Sequence, residues 1–222
     1  MMPIKGWYGE DRLLKQEVIR ILQAQTELQA EPNTEYNYNN SAFIMAAEIV
    51  ERVSGETFPD FVKKNIFEPL GMEQSFVRKD PSTIIPNATQ GYTMKDGAFV
   101  ESGDLDAAYG AGAIYTTPAD LALWMNNFES ARVGGKEGID KLVTPGILKN
   151  GDTLDYGLGI GVRTYKGLKQ YSHGGADIAH RAMLLYFPEI RSGVITLSNN
   201  ASFSGVAARK IADLYFSESL EE

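Results

Sequence analysis

The chain has 222 residues, of which 43% are apolar and 23% charged, and this composition is typical of a globular protein with a sizeable core. Its net charge of −8 argues against binding to nucleic acid or anionic lipid, because a polyanion would be repelled. The absence of cysteine excludes disulfides, thiolate catalysis and cysteine-based metal sites.

The start of the chain shows no targeting pattern. Residues 1–9 lack a basic region followed by an apolar stretch, so no signal peptide is predicted. No apolar run approaches the roughly 20 residues that a membrane span requires. The sequence therefore predicts a soluble chain with no membrane span, and it leaves the compartment open.

Helical periodicity dominates the first half. The first two segments with apolar residues on one helix face contain Leu14, Val18, Ile21 and Leu22, and then Phe43, Ala47 and Val50. The second segment stops at Gly55, a usual helix terminator. A third helix is expected to begin at Thr57, which can cap it, and to bury Phe58, Phe61, Val62 and Ile66. These apolar faces need partners, so a helical bundle is predicted.

A fourth helix is predicted from the clearest start signal in the chain. Thr117 can serve as the N-cap, Pro118 suits the first turn and Asp120 suits the third helical position. Its expected apolar face contains Leu121, Trp124, Met125 and Phe128. Between residues 65 and 112, prolines and glycines interrupt every long pattern, which predicts connecting loops.

After Asp155 the pattern changes to short segments rich in β-branched and aromatic residues. Strands are expected over 156–165, 180–187 and 193–198, in an antiparallel meander of three to four strands. A terminal helix is also expected, with one apolar face against the sheet. This face contains Val206, Ala207, Ile211, Leu214 and Tyr215. Helices first and strands last predict an α+β fold. We expect a mainly helical region over 1–154 and a sheet region over 155–222, in one compact unit.

Two polar segments are candidates for chemistry. Tyr38 lies in a polar, aromatic stretch just before the second helix, where a tyrosine can act as a general base only if a nearby cation lowers its pKa. The alternative is a helix start capped by Asn40 or Ser41, with the tyrosines packed at the rim. From the residues alone, both interpretations stay open.

The second candidate is His173, which precedes Gly174, Gly175 and Ala176. Backbone N–H groups at such a strand edge can bind a carbonyl oxygen, whereas the alternative is a histidine that is merely hydrogen-bonded in a turn. A metal site formed with His180 is disfavoured, because residues seven apart on a strand lie on opposite faces. The glycines at 157, 159 and 161 indicate close packing against another backbone rather than a dinucleotide site.

Four segments in order resemble the β-lactamase-related serine hydrolases, the branch similar to class C β-lactamases that includes penicillin-binding proteins, D-aminopeptidases and esterases. They are Tyr38-Asn39-Asn40-Ser41 running into residues 47–55, then Ile66 to Met72, then Gly110 to Asp120, and finally Tyr156-Gly157-Leu158-Gly159 leading to His173-Gly174-Gly175. The resemblance covers nearly the whole chain. It implies a cleft between an all-α region and an α/β region.

The resemblance also implies roles for individual residues. Tyr38 would shuttle the proton as the tyrosine of the Tyr-x-Asn motif, and Asn40 would hold the substrate. His173 would supply a polar or cationic group beside the tyrosine, while Gly175 and Ala176 would bind substrate through their backbone, Ala176 as one donor of the oxyanion hole. No metal and no cofactor is implied.

The family's nucleophile motif, Ser-x-x-Lys, is missing, because none of the lysines has a serine three residues before it. The resemblance therefore predicts a chain that begins after this motif and lacks the N-terminal strands and the nucleophile helix. The family reaction is hydrolysis of an amide, ester or β-lactam through an acyl-enzyme, and the chain as given is expected to be inactive. The alternatives are a ligand-binding homologue without turnover and a truncated gene product.

The expected partners are a small-molecule or peptide substrate, and no nucleic acid. If the N-terminal elements are absent, the apolar surface that they would cover is either exposed or covered by a second copy. The sequence therefore predicts a homodimer or a poorly soluble monomer.

Overall fold

The computed structural model describes residues 15–80, 82–103 and 109–221. The described helices are Lys15–Gln23 (α1), Asn40–Ser54 (α2), Phe58–Val62 (α3), Glu68–Leu70 (α4), Pro118–Ser130 (α5), Gly135–Leu142 (α6) and Val206–Tyr215 (α7), with a π-helical turn over Lys63–Phe67 and a 3₁₀ turn over Pro188–Ile190. The described strands are Phe76–Val77 (β1), Gly91–Lys95 (β2), Ala98–Ser102 (β3), Ile114–Tyr115 (β4), Gly161–Tyr165 (β5), Leu168–Ala176 (β6), Arg181–Phe187 (β7) and Ser192–Ser198 (β8). Most of the helices precede the large sheet, which confirms the α+β class.

The large sheet is an antiparallel meander of four strands in the order β5-β6-β7-β8. The predicted meander of three to four strands is confirmed, but β6 was not among the three predicted ranges. Lys166 and Gly167 both have positive φ, at 44° and 81°, which suits the tight turn between β5 and β6. The first strand begins at Gly161 and not at Tyr156. Residues 156–160 instead form a turn that is closed by the bond from Gly157 N–H to Ile160 O. The bond from Leu158 N–H to Leu142 O attaches this turn to the end of α6.

The two faces of β7 enter two different cores, because side chains alternate along a strand. Leu185 and Phe187 are fully buried against α7. Tyr186 points to the opposite face, where its ring stacks on Phe128 of α5 with 5.3 Å between centroids. The sheet therefore lies between α7 on one side and α5 with α6 on the other.

The buried face of α7 was predicted wrongly in part. Ala208 and Ala212 are fully buried against the sheet, and Ile211 packs partly against the same core. Val206, Leu214 and Tyr215, which were expected to face the sheet, are at least half exposed. Two alanines at i and i+4 allow the helix backbone to lie close to the sheet, so the larger side chains project outward.

The predicted starts of α3 and α5 are confirmed. Thr57 accepts a hydrogen bond from the Asp60 N–H, and Thr117 accepts one from the Asp120 N–H at 3.2 Å. The buried Asp120 carboxylate also accepts the N–H of Gln74 and the hydroxyl of Ser75. This carboxylate therefore anchors the turn before β1 to the start of α5.

Helix α1 packs along α2 through Val18 and Ile44. Leu14, which was predicted for the same face, lies outside the described residues.

The buried ammonium of Lys15 bonds to Glu48 at 2.8 Å and also to Glu51. Glu51 in turn accepts the Tyr109 hydroxyl at 2.9 Å and the N–H of Phe58 at the start of α3. We refer to Lys15, Glu48, Glu51 and Tyr109 as the Lys15 clamp.

The loop-rich stretch over residues 65–112 contains a hairpin that was not predicted. Strands β2 and β3 form a hairpin whose turn residues, Asp96 and Gly97, both have positive φ. An Asp-Gly pair between two short apolar segments is a known hairpin signal, so the sequence did contain this information. In the described ranges, no helix combines the length and the apolar character that a membrane span needs.

Candidate active site

Tyr38 is positioned by the way α2 begins. The N-cap is Asn39, whose side chain accepts the Ser41 N–H at 2.7 Å, so neither Asn40 nor Ser41 is the cap. Tyr38 precedes the cap and its ring lies 5.6 Å from that of Phe43, the fourth helical residue. A contact between these two positions is the hydrophobic staple, which fixes the direction in which the chain enters a helix. The staple therefore fixes where the Tyr38 ring lies.

His173 lies on β6 and is brought to the same place. Its ring centroid is 6.0 Å from that of Tyr38. The Nδ1 atom is 2.8 Å from the carbonyl oxygen of Gly174, and Nε2 is 2.9 Å from the hydroxyl oxygen of Tyr156. The two residues that the sequence singled out, 135 positions apart, thus lie side by side.

Tyr156 is a third member of this site, and the sequence indicated it only as part of a glycine-rich segment. Its ring lies 5.5 Å from Tyr36 and 6.2 Å from Tyr38, measured between centroids. Burial, together with the nearby hydroxyls of Tyr38 and Tyr36, raises the pKa of Tyr156 to about 12. Tyr156 is therefore protonated at neutral pH. We refer to Tyr36, Tyr38, Phe43, Tyr156 and His173 as the aromatic cluster.

The glycines that follow Tyr156 explain its position. A Cβ atom at Gly157 would clash with the carbonyl oxygen of Leu142, so only glycine lets this backbone pass α6. Gly159 has a φ of +88°, and a Cβ there would lie 3.4 Å from the Phe43 ring. Close packing was the expected role of these glycines. Its consequence is that Tyr156 is held beneath the start of α2.

The backbone beside His173 has one edge that no described strand covers. The β5–β6 ladder ends at the pair Gly161 and Ser172, whereas the β6–β7 ladder continues to Ala176 and Arg181. Alternate residues of an antiparallel strand direct their N–H groups to opposite sides. Some N–H groups of residues 173–176 therefore point away from β7. Gly175 and Ala176 are exposed there, where a carbonyl oxygen can approach.

Asn40 is less firmly connected to this site. It is the first residue of α2, it is exposed, and its side chain makes no hydrogen bond to another residue within the described part of the chain. Its amide is therefore available to a ligand. Among the described residues, no hydrogen bond joins the Asn40 side chain to Tyr38 or His173.

A separate cavity of about 550 Å³ lies between α1 and α2. It is mainly apolar, and its lining includes Ile19, Leu22, Met45 and Ile49. Asn39 and Ser41 belong to its lining, but Tyr38 and His173 do not. This α1–α2 groove therefore borders the aromatic cluster without containing the candidate chemistry.

The second histidine has different partners. Nε2 of His180 lies 3.2 Å from the carbonyl oxygen and 3.3 Å from the hydroxyl of Thr89. The backbone carbonyl of His180 accepts the Asp177 N–H at 3.0 Å, which closes the turn between β6 and β7. Within residues 15–80, 82–103 and 109–221, no group of three potential metal-binding side chains occurs.

Known proteins resemble the chain over most of its length. It is 27% identical over 214 residues to a D-aminopeptidase of Gluconobacter oxydans, covering 94% of this chain and 39% of that protein. It is 29% identical over 189 residues to penicillin-binding protein 4* of Bacillus subtilis, covering 76% of this chain and 41% of that protein. The chain thus spans about two fifths of the length of these curated relatives.

Solved structures show the same fold. An octameric penicillin-binding protein homologue from Pyrococcus abyssi superimposes with a TM-score of 0.82 at 24% identity, covering 92% of this chain and 48% of that one. A penicillin-binding protein from Bacillus halodurans gives 0.76 at 23% identity, covering 91% of this chain and 62% of that one. The beta-lactamase family model matches residues 5–215. The chain therefore belongs to the beta-lactamase family.

Proposed function

We propose that this chain carries the tyrosine and histidine part of a serine-hydrolase site, whose reaction is hydrolysis of an amide, ester or β-lactam through an acyl-enzyme. The observation that supports it best is the 6.0 Å between the Tyr38 and His173 rings, beside the uncovered edge of β6. The name of the D-aminopeptidase relative points to a substrate with a D-amino acid, and that of the penicillin-binding protein points to a β-lactam.

In this proposal each site residue has one role. Tyr38 carries the proton between the nucleophile and the leaving group, and His173 is the polar group beside it. The Asn40 amide holds the substrate amide, and its lack of a hydrogen bond to another described residue supports this role. Backbone N–H groups at Gly175 and Ala176 hold the substrate, with Ala176 donating to the developing oxyanion.

We propose that this chain binds such a ligand without turning it over. No serine stands three residues before a lysine anywhere in the sequence, so the alcohol that starts the covalent reaction is missing. A site without its nucleophile keeps binding groups but loses the covalent route. The alternative is that the whole protein is a ligand-binding homologue without turnover, rather than a hydrolase of which this chain is a part. An in-frame Ser-x-x-Lys upstream of the Met1 codon would favour a hydrolase, and a stop codon there would favour the homologue.

Binding is tested with D-phenylalanine amide, because a related D-amino acid amidase from Ochrobactrum anthropi was solved with D-phenylalanine. Titration of the ¹⁵N-labelled chain should shift the backbone amides of residues 173–176 and of the start of α2. Asn40→Ala should weaken binding about five- to tenfold through one lost hydrogen bond. Asn37→Ala, an exposed asparagine of the same segment, is the matched control and should bind like the wild type.

Two results would overturn parts of this proposal. Saturable shifts that avoid residues 173–176 would exclude the binding site. Release of D-phenylalanine by the purified chain, lost in Tyr38→Phe, would exclude the claim of inactivity.

We also propose that a second copy of the chain covers the α1–α2 groove. Met45, Ile49 and Val53 recur at i, i+4 and i+8 on α2, with exposures of 36%, 57% and 83%. Since the buried residues Ile44 and Ala47 lie on another side of the same helix, α2 is apolar over two faces, as in helices that are covered. The Glu48–Arg52 pair at the groove suits pairing with its own twofold-related copy.

This surface is tested by light scattering. The chain is expected to be dimeric, and Ile49→Glu is expected to make it monomeric because a carboxylate would be buried in an apolar contact. Leu214→Glu places the same charge on the exposed face of α7 and should leave the dimer intact. A monomeric wild-type chain with a cooperative melt would contradict the proposal.

A further inference from the structure

The hydrogen bonds of His173 determine which of its nitrogen atoms carries the proton. A backbone carbonyl oxygen can only accept, so the Nδ1 atom that lies 2.8 Å from Gly174 O must carry a hydrogen. In the neutral ring, Nε2 is then left with a lone pair and can only accept. The hydroxyl of Tyr156, 2.9 Å away, must therefore donate to it.

Tyr156 is suited to hold this bond. Its hydroxyl stays protonated at neutral pH, and its ring is fixed on two sides by Tyr36 and Tyr38. The backbone that follows it passes α6 at a distance that only glycine permits at position 157. The donor is thus placed by packing rather than by a flexible side chain.

We propose that Tyr156 is a positioning residue that holds His173 in its Nδ1–H form and turns the imidazole towards Tyr38. This inference rests on the proposed function, because it assigns a role within the same site. It also extends that function. With the Nε2 lone pair engaged by Tyr156 and Nδ1–H engaged by Gly174 O, neutral His173 has no free ring nitrogen to take up a proton, so proton transfer is left to Tyr38.

The test is nitrogen NMR of the whole chain. The chain has only two histidines, so the His180→Gln variant assigns the His173 ring resonances directly. At a pH where both rings are neutral, the wild-type His173 should be in the Nδ1–H form. In Tyr156→Phe, the Nε2 resonance should move to the position of a nitrogen without a hydrogen bond, and part of the population should change to the Nε2–H form.

Tyr165→Phe is the matched control. It removes a tyrosine hydroxyl that bonds to Asp213, outside the aromatic cluster, and the His173 ring resonances should not change. Affinity for D-phenylalanine amide should fall about fivefold in Tyr156→Phe and not in Tyr165→Phe. A change that came only from lost packing would leave the tautomer as in the wild type.

A wild-type His173 in the Nε2–H form, or a Tyr156→Phe spectrum identical to the wild type, would overturn the role of Tyr156. If the tautomer changes as expected but D-phenylalanine amide does not bind the wild type, the proposed function fails while the positioning by Tyr156 stands.

Discussion

The sheet and the α1–α2 pair are held together by different physical means. On the sheet, Leu185, Phe187, Ala208 and Ala212 are completely excluded from solvent by residues of the chain itself. Between α1 and α2, the buried apolar contact is limited to Val18 and Ile44, and beside it the buried cation Lys15 pairs with Glu48. The apolar side chains of Met45 and Ile49 remain exposed. The sheet thus completes its own apolar core, whereas the α1–α2 pair combines a small apolar contact with a buried charge and leaves apolar surface exposed.

The Lys15 clamp gives the helical pair its strength. Burial alone lowers the pKa of Lys15, but hydrogen bonds to Glu48 and Glu51 more than reverse this, and the pKa is raised. The hydrogen bond from Lys15 lowers the pKa of Glu48. Burial alone raises the pKa of Glu51, and the bonds from Lys15, Phe58 N–H and Tyr109 bring it below its usual value. All three groups are therefore charged at neutral pH.

The largest effect is expected from the sheet. Phe187→Ala should lower the free energy of unfolding by about 3–5 kcal/mol, because it leaves a cavity between β7 and α7. Urea denaturation measures this. Phe99→Ala, in the exposed hairpin, is the control and should cost less than about 0.5 kcal/mol. Similar losses for both variants would mean that the sheet core is not the more tightly packed region.

The second-largest effect is expected from removal of the buried cation Lys15. Lys15→Met should cost about 3 kcal/mol, because it leaves the carboxylates of Glu48 and Glu51 without their shared partner. Hydrogen exchange should show the loss in α1 and α2, with protection of β7 retained. Lys136→Met breaks an exposed pair with Asp140 and should cost at most about 0.5 kcal/mol. Equal costs for the two lysines would show that burial of the clamp adds nothing.

A smaller effect is expected from acid. Because the pKa values of Glu48 and Glu51 are lowered by folding, their contribution is present above the usual value of 4.5 and is lost as the pH falls through the folded values. Protection of the α1 and α2 amides should therefore fall below pH 4.5 before that of the sheet. In Lys15→Met this pH dependence should be weaker. If amide protection were lost at the same pH in the α1–α2 pair and in the sheet, the α1–α2 pair would not be the more acid-sensitive region.

The smallest effect concerns the outer face of α7. Leu214→Ala should change the free energy of unfolding by less than about 0.5 kcal/mol, because this side chain is 77% exposed. Ala212→Leu should cost about 1–3 kcal/mol, because it inserts volume between the helix and β8. Thermal melts of the two variants measure the difference. A larger loss of unfolding free energy for Leu214→Ala than for Ala212→Leu would show that Leu214 packs against the sheet, as the sequence predicted.

Local signals in the sequence were sufficient where neighbouring residues decide the structure. The N-cap Thr117 with Asp120 and the helix end at Gly55 were both predicted, since helix caps depend on residues a few positions apart. The Asp96–Gly97 hairpin was missed although its signal is local. The face of α7 was misjudged because periodicity does not tell which of two apolar sides lies against the sheet. The boundary at residue 154 stays a prediction.

Residue types in a fixed order were enough to indicate the family, the α+β order of elements and the candidates Tyr38 and His173. Three facts came from the folded chain alone: the two rings lie 6.0 Å apart, Tyr156 bonds to the imidazole, and two carboxylates share Lys15. Those facts join residues that are 17 to 135 positions apart in the sequence, and such contacts follow from packing, which no local pattern encodes.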